Sequence, residues 1–191
     1  DQHDEALEVF KKGVRQVGEN SDKNMVSDFY SIMGDLYHTK KMNVEAYAAY
    51  DSALVYKPDN IGALNNYAYY LSVEKKDLDK AEEMSYRTVK AEPNNATYLD
   101  TYAWILFEKG KYAEARIYMD QVIQLASDQS SVIWEHCGDI YYKCGETQKA
   151  LEFWQKAEKV AGEATDENDK RKPEELKLLK KKIKYQKYFV E

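Results

Sequence analysis

The chain has 191 residues, of which 43% are hydrophobic and 32% are charged, and its formal net charge is −6. No apolar run in the sequence is long enough to cross a membrane, so insertion of this segment into a bilayer is excluded. An acidic chain is also a poor partner for nucleic acid, because that binding depends chiefly on cationic contacts to phosphates.

Small residues recur along the chain at a nearly constant spacing. The positions in a first series are 34, 35 and 35 residues apart, and a second series of alanines keeps the same period. This period is typical of arrays of antiparallel helix pairs, in which a small side chain lets two backbones approach where they cross. The sequence therefore predicts an all-α chain of stacked helix pairs. The first series is Gly34, Ala68, Ala103 and Gly138, and the second is Ala46, Ala81, Ala115 and Ala150.

Residues 1–26 match only the second helix of such a pair. Ala6, Phe10 and Gly13 have the spacing of that helix, which we expect over residues 4–17. Ala6 and Gly34 are 28 residues apart, against 22 or 23 residues between equivalent positions elsewhere. The extra residues, 18–24, form either a longer loop or an extended helix end. The lone helix is either part of a longer array, which we favour, or an N-terminal cap.

Four full repeats are expected next, at residues 27–60, 61–95, 96–130 and 131–163. Each consists of two helices joined by a tight turn, and Gly110 and Gly145 suit the left-handed conformation that ends a helix. The first full repeat reads Tyr30-x2-Met33-Gly34-x2-Tyr37, then Ala46-x3-Tyr50-x2-Ala53-x4-Pro58.

These motifs resemble the tetratricopeptide repeat (TPR) family, whose pattern combines aromatic, small and proline positions in a unit of similar length. Residues 65–71 and 99–106 are similar to a bacterial type found in Gram-negative envelope adaptor proteins. The resemblance implies a right-handed α-solenoid that holds another protein and needs no cofactor. It also favours the bacterial cell envelope over the cytoplasm.

Residues 164–191 are expected to form a polar linker and a basic capping helix that begins at Pro173. Acidic residues in its first turn suit the helix dipole. The lysine run 180–182 is interpreted as the solvated side of this cap, with contact to an anionic surface as the alternative. The apolar side expected to cover the last repeat consists of Leu176, Leu179, Ile183 and Val190.

The sequence offers little for catalysis. It has no glycine-rich phosphate loop, no Gly-x-Ser-x-Gly and no Cys-x2-Cys motif. Cys137 and Cys144 lie about 10 Å apart along one expected helix, too far for a disulfide. His136 and Cys137 diverge by about 100° around that helix, so they do not converge on a metal ion. We therefore predict no enzyme activity, no cofactor and no metal.

The family resemblance implies that the first helix of each repeat lines a concave groove. In this chain those positions are acidic and aromatic, which disfavours an anionic ligand. Of the positions that clamp a peptide carboxylate in chaperone-binding members, only Asn66 matches. The groove is therefore expected to bind an extended segment that is basic or neutral, with aromatic anchors. The predicted groove residues are Asp35, Asn65, Asn66, Tyr69, Asp100, Trp104, Glu135 and Asp139.

Three functions are compatible with these features. The first is a scaffold that binds a protein partner in the groove. The second is a structural spacer or self-assembling array that acts through its repeat ends. The third is a regulatory fragment of a larger protein, an enzyme included, whose catalytic part lies outside this sequence. The composition of the groove favours the first.

Overall fold

The computed structural model describes residues 2–125, 130–165 and 170–189. Ten α-helices and no strand occur in these ranges, as the repeat period predicts. The helices are α1 Gln2–Arg15, α2 Lys23–Thr39, α3 Asn43–Tyr56, α4 Ile61–Val73, α5 Leu78–Ala91, α6 Ala96–Glu108, α7 Tyr112–Leu125, α8 Ser131–Lys143, α9 Thr147–Glu163 and α10 Pro173–Tyr185.

Side-chain caps start the first helix of every full repeat. Asp22 accepts a hydrogen bond from the Asn24 amide at 2.8 Å, and Asn60 accepts one from the Ala63 amide at 3.1 Å. Asn95 and Ser130 cap α6 and α8 in the same way. Each cap satisfies an amide that has no partner within its helix, so the sequence sets these helix starts locally.

The turns inside the repeats all use a residue with positive φ. Gly110 and Gly145 have φ of 76° and 86°, which confirms the predicted left-handed helix stops. Lys41 and Lys75 occupy the equivalent turn positions with φ of 60° and 54°. A side chain there is crowded by the backbone, so the two lysine turns are more strained than the glycine turns.

The contacts divide the chain into two compact units, Asp1–Ala91 and Glu92–Glu191. In the first unit, Ala46 is fully buried where α2 and α3 cross. A Cβ atom on Gly34 would lie 2.7 Å from the Tyr50 ring, so the crossing requires glycine. Helix α1 ends at Arg15 and α2 begins at Lys23, before the repeat start expected at residue 27. The extra residues thus supply both a loop and an extended helix.

In the second unit, Ala115 and Ala150 are fully buried and lie at the start of α7 and α9. A Cβ atom on Gly138 would overlap the Trp154 ring, a closer approach than at Gly34. Cys137 is buried and is not in a disulfide, and burial raises the pKa of its thiol well above the ordinary value. It therefore packs as a small apolar side chain rather than as a reactive thiol.

Helix α10 begins at Pro173, as predicted, and packs against α9. Leu179 is fully buried, whereas Leu176 and Ile183 are partly buried. Val190, the fourth member of the predicted apolar side, lies outside the described residues. The interpretation of the lysine run as a solvated surface is wrong for Lys182, which is only 2% exposed. Its ammonium group is held by carboxylates, as described below.

Candidate peptide-binding faces

Four predicted groove residues, Asp35, Asn65, Asn66 and Tyr69, lie on α2 and α4, and we call them the first face. Three of them form one hydrogen-bonded chain. Asn66 Nδ2 donates to Asp35 Oδ1 at 3.0 Å, and Asn65 Nδ2 donates to Asn66 Oδ1 at 3.3 Å. Neighbouring repeats therefore bring a carboxylate and two amides together.

Asp35 is a half-buried carboxylate whose hydrogen-bond donors are uncharged. Burial raises the pKa of Asp35, and the hydrogen bonds from Tyr50 and Asn66, the His38 charge and the Tyr70 hydroxyl oppose that shift. The pKa of the Tyr50 hydroxyl is raised by burial and by the neighbouring Asp35 charge, so Tyr50 remains a donor. The first face thus carries a negative charge that the neutral donors and His38 only partly compensate.

Aromatic rings surround this carboxylate. The Tyr69 and Tyr70 ring centroids are 5.8 Å apart, and Tyr70 stacks on His38 at 3.5 Å. Burial raises the pKa of Tyr70 to about 12, with a further contribution from the Asp35 charge. Ile32 is 41% exposed on the same helix as Asp35. Flat rings and an exposed aliphatic side chain next to a carboxylate suit a ligand with both cationic and apolar groups.

The other four predicted groove residues, Asp100, Trp104, Glu135 and Asp139, lie on α6 and α8, and we call them the second face. His136 Nδ1 lies 2.9 Å and 3.1 Å from the two Asp100 carboxylate oxygens. Trp104 stacks on His136, with ring centroids 4.0 Å apart. Asp100 and Trp104 are therefore joined through His136.

The remaining carboxylates of the second face bind the C-terminal segment of the chain. Lys182 Nζ donates to Glu135 Oε1 at 2.7 Å and lies 2.8 Å and 2.6 Å from the Asp139 oxygens. Arg171 Nη2 donates to Glu135 Oε2 at 2.6 Å. Trp154 Nε1 donates to Asp139 Oδ1 at 2.9 Å. Both carboxylates therefore have cationic partners within the chain.

The two carboxylates respond differently to this environment. Burial raises the pKa of Asp139 to about 6, although the Lys182 charge opposes the shift. Burial also acts to raise the pKa of Glu135, but the charges of Lys182 and Arg171 outweigh it and leave the pKa below its ordinary value. Glu135 thus gains from two cations, whereas one cation does not fully compensate the burial of Asp139.

A tetratricopeptide repeat model matches residues 72–166, which include the second face and the helices that support it. This chain belongs to the tetratricopeptide repeat family. The TPR repeat-containing protein PA4667 of Pseudomonas aeruginosa is 28% identical over 141 residues. That match covers 73% of this chain and 22% of PA4667, so the chain spans about a fifth of the curated relative's length.

Solved TPR structures share the fold at low sequence identity. PilW, described as a type IV pilus biogenesis factor, superposes on this chain with a TM-score of 0.74 at 16% identity. The match covers 96% of this chain and 78% of PilW. A TPR protein from Parabacteroides merdae has a TM-score of 0.70 at 16% identity, covering 96% of this chain and 65% of that protein. The predicted family and the predicted all-α class of helix-turn-helix repeats are confirmed.

The sequence pattern did not predict the basic residues that bind the carboxylates of the second face. Arg171 and Lys182 follow the repeats in the chain, so the repeat pattern assigned them no position. A signal was present, because Lys182 lies one helical turn after Leu179 on the apolar side of α10. The described residues include no group of three or more metal-binding side chains, and no described helix is long and apolar enough to cross a membrane.

Proposed function

We propose that this TPR protein is a non-catalytic scaffold that binds extended, basic or neutral segments of partner proteins, each on one of the two faces. The observation that carries the proposal is Asp35, a half-buried carboxylate whose pKa burial raises although Tyr50 and Asn66 donate to it and the His38 charge acts on it. A lysine or arginine of a partner would add a permanent positive charge next to this carboxylate. Asn66 would add an amide contact to an extended backbone and Tyr69 an aromatic one, while the buried Asn65 would hold Asn66 in place.

On the second face, a lysine of the chain itself already binds a carboxylate equivalent to Asp35. Asp35 accepts a hydrogen bond from Tyr50 fifteen residues later, and Asp139 accepts one from Trp154 at the same separation. The carboxylates therefore occupy equivalent positions in their repeats. At Asp139 the additional partner is a lysine ammonium group, whereas at Asp35 it is the Asn66 amide. A carboxylate in this position is thus suited to a lysine.

A selection with displayed random peptides tests the proposal on the intact chain. Asp35→Asn removes the charge but keeps an oxygen that can accept from Tyr50. Glu45→Gln, on the exposed surface of α3, removes one charge away from the face and is the matched control. Peptides selected on the parent should be rich in Lys or Arg. Their affinity should fall at least about tenfold for Asp35→Asn and stay unchanged for Glu45→Gln.

Equal binding by all three proteins would remove the first face from the proposal. The spacer function, with contacts through the repeat ends, would then be the better interpretation. A location in the bacterial cell envelope remains a prediction, and fractionation of the native cells with an antibody against this chain would test it.

A further inference from the structure

The C-terminal segment lies on the second face as a ligand would. Lys182 is 2% exposed, and the two carboxylates that hold it, Glu135 and Asp139, are 7% and 2% exposed. Lysine is almost never buried to this extent unless it is paired. Arg171, 11% exposed, occupies the second oxygen of Glu135 and also donates to Glu175 on its own segment.

The C-terminal segment places an aromatic ring of its own beside the lysine ammonium group, and that ring contacts the repeats. Lys182 Nζ lies 5.2 Å from the centroid of the Tyr188 ring, and that ring meets Phe107 edge-on at 5.6 Å. Trp154 holds Asp139 in place from α9. The repeats therefore supply two carboxylates, a fixing hydrogen bond and an aromatic contact, while the C-terminal segment supplies the cations and Tyr188.

Apolar contacts hold α10 only lightly. Among its residues only Leu179 and Lys182 are fully buried, Leu176, Leu178 and Ile183 are partly buried, and the other four lysines are exposed. Docking thus depends largely on the ion pairs of Lys182 and Arg171. The net gain from a buried ion pair is small, because desolvation of the charges offsets much of their attraction. Elements with few buried apolar side chains are those that open most readily in native proteins.

We propose that α10 is a built-in ligand covering a lysine-binding site on the second face, and that a basic amphipathic helix of a partner protein competes for this site. The competing helix would present a leucine and a lysine one turn apart, as Leu179 and Lys182 are, with an arginine near its N-terminal side. The proposal rests on the function proposed above, since both place the partner on first-helix positions. It adds the class of ligand and the step that uncovers the site.

The test uses a fluorescent peptide of residues 170–189 added to the full chain. Lys182→Gln in the chain should weaken docking of its own α10 and uncover the site, so the peptide should bind at least about tenfold more tightly than to the parent. Lys180→Gln changes an exposed lysine of the same helix and should bind the peptide like the parent. Adding Asp139→Asn to Lys182→Gln, or using a peptide with Lys182→Gln, should remove the gain.

Hydrogen exchange on the parent gives a second measurement that needs no variant. The amides of α10 should exchange faster than those of α8, and excess peptide should accelerate them several-fold. Exchange of α10 as slow as that of α8 would overturn the proposal, as would a folded Lys182→Gln chain that binds the peptide no better than the parent. Asp35→Asn should leave peptide binding unchanged, so a failure here is distinguishable from a failure of the first face.

Discussion

Asp139 Oδ2 lies 2.6 Å from Lys182 Nζ, and both residues are 2% exposed. This contact joins the last full repeat to a segment that no repeat pattern describes. Desolvation of both groups costs most of what their attraction contributes, so the pair sets where α10 docks more than it stabilises the chain. Removal of one partner is nevertheless harmful, because the other is left without compensation.

Lys182→Met should lower the free energy of unfolding by about 1–3 kcal/mol. This loss of stability should be smaller than for an ion pair that stays enclosed, because release of α10 lets water reach Glu135 and Asp139. Urea unfolding followed by circular dichroism measures it. Lys180→Met, an exposed change on the same helix, should have almost no effect. Equal stability of the two variants would mean that the ion pairs do not hold α10.

The raised pKa of Asp139 predicts a specific pH dependence. Its folded-state pKa of about 6 exceeds its ordinary value of 3.8, so between these values the folded chain binds more protons than the unfolded chain. The contribution of Asp139 to stability therefore falls as pH rises, by about 1 kcal/mol between about pH 5 and 7. Asp139→Asn should flatten this part of the unfolding profile.

Glu135 should contribute to stability with the opposite pH dependence from Asp139, because its pKa is lowered rather than raised. Glu135 has a lowered pKa, so its contribution is gained as pH rises toward its ordinary value of 4.5 and is complete above it. Carbon NMR of the Asp139 carboxyl group should show a titration midpoint near pH 6. A midpoint in the ordinary range for aspartate would contradict the prediction and would mean that Lys182 compensates its burial fully.

Gly138→Ala should destabilise the chain by about 1–3 kcal/mol, because the new methyl group would displace the Trp154 ring and weaken its hydrogen bond to Asp139. Gly162→Ala is the matched control, since nothing lies within 4 Å of a Cβ at that helical glycine. It should stabilise the chain slightly through higher helix propensity. Thermal denaturation with tryptophan fluorescence follows both variants, and a neutral Gly138→Ala would show that the ring accommodates the methyl group.

Lys41→Gly should stabilise the chain by about 0.5–1 kcal/mol, because glycine adopts the positive φ of this turn without steric cost. Gly110→Ala introduces the opposite change at the equivalent turn and should destabilise by a similar amount. Melting temperatures of both variants give the comparison. Destabilisation by Lys41→Gly would show that contacts of the lysine side chain outweigh the strain of its backbone.

The sequence by itself determined the family, the number of helix pairs and the small residues at their crossings. Gly34 and Gly138 could be found because the two helices of each repeat cross at the same positions, so periodicity in the sequence reports periodicity in space. The left-handed turns at Gly110 and Gly145 could be found for a local reason, since glycine tolerates positive φ. Assignment of acidic and aromatic side chains to the first helices followed from the same register.

Only the tertiary structure decided which of those side chains already have partners. Asp100 pairs with His136 in the next repeat, and Glu135 and Asp139 pair with Lys182 from beyond the repeats. The physical reason is reach. The period fixes where each backbone lies, but a long cationic side chain on a separately docked helix can meet carboxylates more than forty residues earlier. Pairing of that kind depends on how α10 packs and on the cost of desolvating the charges, and a repeat pattern carries neither.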